Sequence, residues 1–360
     1  MTGFAGLERP AWRVDVDDTI GEVAWSPLDD RVGVGCTGGD VVVLDAAGSM
    51  LDRRRDHPAG TACLAWHDGE VVSGGVDGWV VAGAHRERLS GWIASLASGP
   101  DGLAVAHGRH VSLLGGATSE RLPASVAQVR WSSCTDAAGG RPGLVVCGHG
   151  YVSEFDADLS VRIDAALVWG GSVEQVDWSS GGGWAAASTR GTTNYLWPSS
   201  IGQGGRVVDP AVRVHVLPCP SSSGRLLRFD PTGRYAGIAT SGGLAVFDLD
   251  EVHPVAGPPG RLLPLFCDVH AFRWWPAAPV AVLGVATDSG GGGLLLVRCD
   301  ERAAPVGVVD LGTPVIGLEW SRDGRLLAAA CGDGTVVGLR RVVDWAWQDS
   351  ADQWDVTDRL

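Results

Sequence analysis

Glu174, Arg225 and His270 occupy the same position in three consecutive segments of the chain, four residues before Trp178, Phe229 and Trp274. An acid, a base and an imidazole at one structural level form the kind of polar cluster that a ligand pocket requires. The other segments have no polar side chain at this position. The sequence therefore predicts that these three side chains line one mouth of a shared cavity.

Two cysteines extend this cluster toward metal chemistry. Cys267 precedes His270 by three residues, and Cys219 lies in the preceding connection. Two thiolates and one imidazole suit zinc or another soft or borderline ion, with Glu174 or water as a fourth ligand. Two other interpretations remain open. The cluster could be a ligand pocket without metal, or Glu174 and Arg225 could form an ion pair while the cysteines pack as small apolar residues. No other cofactor is predicted.

Aromatic residues recur along the chain in a repeated setting: a short apolar strand, the aromatic residue, a polar turn and a second apolar strand. The positions are Trp25, Trp66, Trp131, Trp178, Phe229, Trp274 and Trp320, with Ala97 in the third segment. Their mean spacing is about 42 residues, and a period of 40–45 residues is typical of the four-stranded blades of a β-propeller. Asp-Gly turns such as Asp333-Gly334 support hairpins within each unit.

At these residues the chain resembles the WD-repeat β-propeller family. The resemblance covers roughly residues 12–344 and rests on Trp25-Ser26-Pro27, Phe229–Arg234 and Trp320–Arg325. The Trp-Asp pair that ends the third strand in the family is replaced here by Phe-Asp or Leu-Asp, as at Phe247-Asp248, and the opening Gly-His pair is missing. The resemblance therefore implies the fold, but not the His–Asp hydrogen bonds of the family.

Eight repeats predict an all-β propeller of eight four-stranded blades within residues 1–344. Seven blades is the alternative, since the third repeat is the weakest. The last repeat shows three strands, and Trp12–Val16 is predicted to supply its fourth, which would close the ring without an open sheet edge. Residues 345–360 form an acidic tail that contains tryptophans.

Charged residues directly precede the aromatic position in the later repeats. They are Arg130, Asp177, Arg228, Arg273 and Glu319. A charge on an inner strand is costly unless it is paired. We therefore expect Arg130–Asp177–Arg228 and Arg273–Glu319 to form ion pairs between neighbouring blades.

Composition limits the classes of partner. The chain of 360 residues has a formal net charge of −14, and all 28 of its basic residues are arginine. The absence of lysine excludes lysine Schiff bases and the lysine of phosphate-binding loops, and the acidic balance argues against nucleic acid and anionic membranes. The chain shows no secretory leader and no apolar run long enough to span a membrane. These features predict a cytoplasmic protein with reduced thiols.

The fold and the resemblance together predict a binding platform that holds a protein, a peptide or a small molecule at one mouth of the channel. Trp92 and Trp169 lie in or near loops and are candidate contact residues, because exposed aromatics are enriched at interfaces. A metal-binding or enzymatic propeller is the alternative, with its chemistry at Glu174, Arg225 and His270. The sequence leaves open whether the protein catalyses a reaction.

Overall fold

A computed structural model describes residues 7, 10–28, 30–131, 143–163, 172–180, 183–190, 193–198, 214–218, 226–253, 256–265, 267–300 and 304–341. The regular elements of these residues are strands, and they form eight separate antiparallel sheets that we number as blades 1–8 along the chain. Seven blades have four strands. Blade 3 has three strands, followed by a single bridge between Ser112 and Thr118. The predicted eight-bladed propeller is confirmed.

The bounds of the strands are as follows, from the innermost strand of each blade outward. Blade 1 contains β2 (Ile20–Trp25), β3 (Arg31–Cys36), β4 (Asp40–Asp45) and β5 (Met50–Arg55). Blade 2 contains β6 (Thr61–His67), β7 (Glu70–Gly75), β8 (Trp79–Ala82) and β9 (His85–Arg88). Blade 3 contains β10 (Ile93–Gly99), β11 (Gly102–His107) and β12 (His110–Leu113). Blade 4 contains β13 (Val126–Trp131), β14 (Leu144–Gly148), β15 (Tyr151–Phe155) and β16 (Val161–Ile163).

The second half of the ring follows the same order. Blade 5 contains β17 (Val173–Trp178), β18 (Trp184–Thr189), β19 (Thr193–Pro198) and β20 (His215–Pro218). Blade 6 contains β21 (Leu226–Phe229), β22 (Tyr235–Thr240), β23 (Gly243–Asp248) and β24 (Gly260–Pro264). Blade 7 contains β25 (Asp268–Trp274), β26 (Val280–Ala286), β27 (Gly292–Arg298) and β28 (Ala304–Asp310). Blade 8 contains β29 (Val315–Trp320), β30 (Leu326–Cys331), β31 (Thr335–Arg340) and β1 (Trp12–Asp15).

The core lies between adjacent blades, because the second and third strands of a blade bury both of their faces. β3 and β4 show this pattern, since Val32, Val34 and Val42 are fully buried. Strands that are covered on both sides read as continuous apolar runs rather than alternating ones. This explains why valine- and alanine-rich segments dominate the sequence between its glycine turns.

The N-terminal strand closes the ring as predicted. Trp12 pairs with Gly338 and Asp15 with Thr335, so β1 is the outermost strand of blade 8. The indole of Trp12 lies so close to Gly338 that a Cβ at that residue would overlap the ring, and its Nε1 donates to the carbonyl of Ala46 in blade 1 at 3.0 Å. The first strand of the chain therefore holds the last blade to the first.

Antiparallel strands place the loops on two opposite faces of the ring. The turns between second and third strands and the connections between blades lie on one face, which we call the connection face, and each innermost strand begins there. The turns between first and second strands and between third and fourth strands lie on the opposite face. Residues near the start of an innermost strand therefore surround the channel mouth of the connection face.

Two further observations concern the described residues alone. They contain no helix that is long and apolar enough to cross a membrane. Their six cysteines carry free thiols, all of them buried.

Removal of residues 1–18 should destabilise the protein, because the third strand of blade 8 would become an open sheet edge and the apolar contacts of Val16 would be lost. We expect a loss of at least about 3 kcal/mol, a large share of a typical stability of 5–15 kcal/mol. Urea denaturation measures this loss. A shorter truncation of residues 1–6 keeps β1 and is the control. Equal stability of the two truncated proteins would contradict the closure.

Candidate functional site

The innermost strands share a β-bulge near their first residues. In seven blades the register shifts across one residue: Gly21, Ala62, Ala94, Ala127, Glu174, His270 and Ile316. A bulge leaves one residue unpaired and changes the direction of its side chain. All seven bulge residues line one central cavity of about 400 Å³. The corresponding position of blade 6 is Arg225, which lies outside the described residues.

The bulge corrects the sequence alignment of blade 3. With Ala97 at the aromatic position, the sequence puts Ile93 four residues before it, at the level that Gly21 and Ala62 occupy in blades 1 and 2. In the structure Ala94 is the bulge residue and lines the cavity, whereas Ile93 is fully buried. The aromatic position therefore falls on Ser98. Without an aromatic residue in this repeat, the sequence offered nothing to fix the alignment to a single residue.

Glu174 and His270 reach the same cavity, as their shared position in the repeat predicts. Glu174 accepts a hydrogen bond from Nε of Arg190 at 2.7 Å. Arg190 follows β18 on the connection face, and its side chain is 79% exposed. His270 is exposed at the cavity wall. Trp92 is also exposed and directly precedes the buried first residue of β10, while Trp169 lies outside the described residues.

The predicted metal ligands His270 and Cys267 lie in different parts of the structure. His270 lines the central cavity, whereas Cys267 belongs to the apolar cluster between blades 6 and 7. Burial raises the pKa of the Cys267 thiol to about 11, which disfavours the thiolate that a metal requires. Cys219 lies outside the described residues, and the described ones contain no cluster of three His, Cys, Asp or Glu side chains suited to a metal. Zinc binding through Cys219, Cys267 and His270 stays a prediction.

The residue after the bulge reaches forward to the next blade. Oε2 of Glu22 accepts the backbone N–H of Leu64 at 2.7 Å. Gln128 and Gln175 make the same bond, through Oε1, to Val176 at 2.9 Å and to Leu227 at 3.0 Å. These residues were missed in the sequence, although they stand at one repeat position, three residues before the aromatic one. Comparing the glutamate with the two glutamines at that position would have found them.

Glu22 is the ionisable member of this set. Burial raises its pKa from 4.5 to about 7, against the lowering effects of the Leu64 N–H, Arg273 and Arg228. The carboxyl is therefore partly protonated near neutral pH. Gln128 and Gln175 supply the same acceptor without a charge.

The predicted ion pairs between blades are confirmed in two of three places. Nη1 of Arg130 lies 2.9 Å from Oδ1 of Asp177. Arg273 donates from Nε and Nη2 to Oε2 of Glu319, at 3.0 and 2.6 Å. Arg228 was expected to share Asp177, and this expectation was wrong.

The contacts of Asp177 and Arg228 explain the difference. Asp177 uses one carboxylate oxygen for Arg130, and its Oδ2 accepts the N–H of Phe229 in blade 6 at 3.0 Å. Arg228 instead bonds to the carbonyl of Leu227 in its own strand and lies 3.4 Å from Oε1 of Gln175 in blade 5.

A buried Ser–His–Asp arrangement joins blades 1 and 2. Nδ1 of His57 lies 3.2 Å from Oδ1 of Asp77, and its Nε2 lies 2.8 Å from Oγ of Ser73. The missing Gly-His pairs had led us not to expect such a bond. His57 and Ser73 are fully buried, so a substrate cannot reach the hydroxyl, and the arrangement stabilises the turn at Asp77.

Known proteins resemble this chain in fold. No protein-family profile matches it, and no curated protein sequence does. The crystal structure of the computationally designed Ika8 protein aligns with a TM-score of 0.66 at 16% identity, covering 91% of this chain and 98% of that one. The Cps50 (Swd1) β-propeller domain of Myceliophteria thermophila aligns with a TM-score of 0.58 at 12% identity, covering 92% of this chain and 99% of that one. At these identities the similarity establishes the propeller fold.

Asp177→Ala should destabilise the protein more than Arg130→Ala. Loss of the carboxylate leaves both the Arg130 guanidinium and the Phe229 N–H without their acceptor, and breaking a buried pair costs about 3 kcal/mol or more. Loss of Arg130, whose side chain is 38% exposed, leaves Asp177 bonded to Phe229 and should cost about 1 kcal/mol. Chemical denaturation of both variants measures the order. A larger loss in Arg130→Ala would contradict this geometry.

Glu22→Gln should remove a pH dependence of stability. Between pH 4.5 and 7 the folded protein retains a proton on Glu22 that the unfolded chain has released, so the stability falls as the pH rises through this range. Relative to wild type, we expect the variant to gain about 1–3 kcal/mol at pH 8 and little at pH 4.5. Urea denaturation at both pH values measures the gain.

The matched control for this experiment is Glu120→Gln, which makes the same chemical change at an exposed residue. It should give no such difference between the two pH values. If Glu22→Gln instead changes the stability equally at both pH values, Glu22 does not titrate in this range.

Proposed function

We propose that this protein is a binding platform that holds a protein or peptide partner over the channel mouth of the connection face. The observation that carries the proposal is the exposure of Trp92, which is 56% accessible at the start of blade 3. A large aromatic side chain loses little conformational entropy on binding and contributes strongly to interfaces.

Val76 supports the same surface. It lies in the turn between β7 and β8 and is 46% exposed. That turn contacts the connection before Trp92, because the N–H of Leu89 donates to the carbonyl of Gly78 at 2.9 Å. We call Val76 and Trp92 the apolar patch. It stands on the connection face, where Glu174 and His270 reach the mouth of the channel.

The apolar patch differs from the other exposed apolar side chains in its position. The others lie elsewhere: Leu28 on the opposite face, and Met50, Leu51, Val216 and Leu262 on outermost strands. Among the described residues, large exposed apolar side chains reach the loops of the connection face only in the apolar patch, and exposed aromatic residues are enriched at protein interfaces.

Trp92→Ser should weaken binding of the partner at least about tenfold, the effect of removing a central aromatic contact. The partner is first identified by cross-linking to the wild-type full chain, and its dissociation constant is then measured for each variant. Leu28→Ser is the matched control, since Leu28 is 67% exposed on the opposite face. Unchanged affinity in Trp92→Ser would refute the proposal, and a loss confined to Leu28→Ser would place the partner on the other face.

A further inference from the structure

Arg228 and Arg273 are held in the same way by their own strands. Nη1 of Arg228 donates to the carbonyl of Leu227 at 2.8 Å, and Nη1 of Arg273 donates to the carbonyl of Phe272 at 2.9 Å. Nη1 of Arg228 also lies 3.4 Å from Oε1 of Gln175. In both residues Nη1 is therefore bonded to a carbonyl of its own strand. Nε and Nη2 of Arg273 bond to the following blade, whereas no described residue accepts a bond from Nε or Nη2 of Arg228.

The blade that follows each arginine presents a different group to it. Glu319 accepts the Nε and Nη2 bonds of Arg273, whereas blade 7 presents Arg273 itself to Arg228. Among the described residues, no carboxylate lies within ion-pair distance of Arg228. Burial, together with the charges of Arg273 and Arg130, lowers the pKa of Arg228 to about 9. A cation in this setting is costly for the protein on its own.

The guanidinium is accessible from the channel. Arg228 is half-buried and lines the central cavity together with Gln175 and His270. Oε1 of Gln175 accepts the N–H of Leu227 and lies 3.4 Å from Nη1 of Arg228. The cavity wall thus combines a guanidinium with a neighbouring amide.

We propose that Arg228 is the recognition residue of a carboxylate-binding site in the central cavity. The ligand carboxylate accepts the Nε and Nη2 bonds, as the Glu319 side chain does for Arg273. The carboxylate belongs either to a small organic acid or to an acidic side chain of a peptide that enters the channel. This inference does not depend on the apolar patch, since small probes test it without the partner.

The surroundings favour a single negative charge. Glu22 and Glu174 line the same cavity, and they repel a dianion such as phosphate more strongly than a carboxylate. Arg273 and Arg130 also pair with carboxylates in this ring, and a guanidinium matches that group with two parallel donors. Inorganic phosphate is therefore the comparison probe.

The experiment compares three probes on the full chain by saturation-transfer NMR: butyrate, the capped peptide acetyl-Gly-Glu-Gly-amide and inorganic phosphate. We expect butyrate, the peptide or both to bind wild-type protein saturably. Arg228→Gln should weaken that binding about tenfold or more, because a charge-assisted pair is lost. Binding of butyrate alone assigns a small acid, and binding of the peptide alone assigns an acidic side chain.

A second measurement separates recognition from a structural role. Without ligand, Arg228→Gln should melt at the same temperature as wild type or higher, because a half-buried cation with no carboxylate partner among the described residues has been removed. Arg228→Lys keeps the charge but loses the paired donors, so it should bind more weakly than wild type. Arg55→Gln makes the same charge change at an exposed residue of β5 and should leave binding unchanged.

Four results would overturn the proposal. The first is the absence of saturable binding of both carboxylates to wild-type protein. The second is equal carboxylate binding to wild type and Arg228→Gln. The third is tighter binding of phosphate than of either carboxylate. The fourth is a lower melting temperature of the ligand-free Arg228→Gln variant, which would make Arg228 a structural residue.

Discussion

Side chains that reach from each innermost strand to the next blade hold the ring together, and they determine which polar groups remain for a ligand. Gln128 and Gln175 bond to the backbone of the blade that follows them, and Arg273 bonds to Glu319 in the same direction. Asp177 contacts both of its neighbours, Arg130 in the preceding blade and Phe229 in the following one. Arg228 has no carboxylate partner among the described residues, and it lines the central cavity.

The interfaces between blades use two alternative bonds for this purpose. The indole N–H of Trp66, Trp131 and Trp274 donates to a carbonyl of the preceding blade. The indole N–H groups of Trp25, Trp178 and Trp320 have no such acceptor among the described residues. The blades of Trp178 and Trp320 are joined to the preceding ones by the Arg130–Asp177 and Arg273–Glu319 ion pairs, and a buried N–H without an acceptor costs free energy.

The sequence predicted the ring because aromatic residues recur in it at a mean spacing of about 42 positions. It predicted the closure because the last repeat shows only three strands and Trp12–Val16 can supply the fourth. It also predicted that Glu174 and His270 lie at the same height along the channel, since both stand four residues before the aromatic residue of their repeats. It could not predict which neighbouring group each charged side chain contacts, so an ion pair between Arg228 and Asp177 was expected. Nor could it align blade 3, where Ser98 replaces the aromatic residue and bonds to His67 across the interface at 2.9 Å. Arg225, Cys219 and Trp169 lie outside the described residues.

The pairing of β1 with β31 has a kinetic consequence. Trp12 and Gly338 are neighbours in the sheet but lie at opposite ends of the chain, and the entropy of closing so long a loop grows with the logarithm of its length. During synthesis β1 leaves the ribosome long before β31 exists, so blade 8 stays incomplete until residues 335–340 have been made. As long as the two strands are apart, blade 8 has an open sheet edge, and such edges favour aggregation.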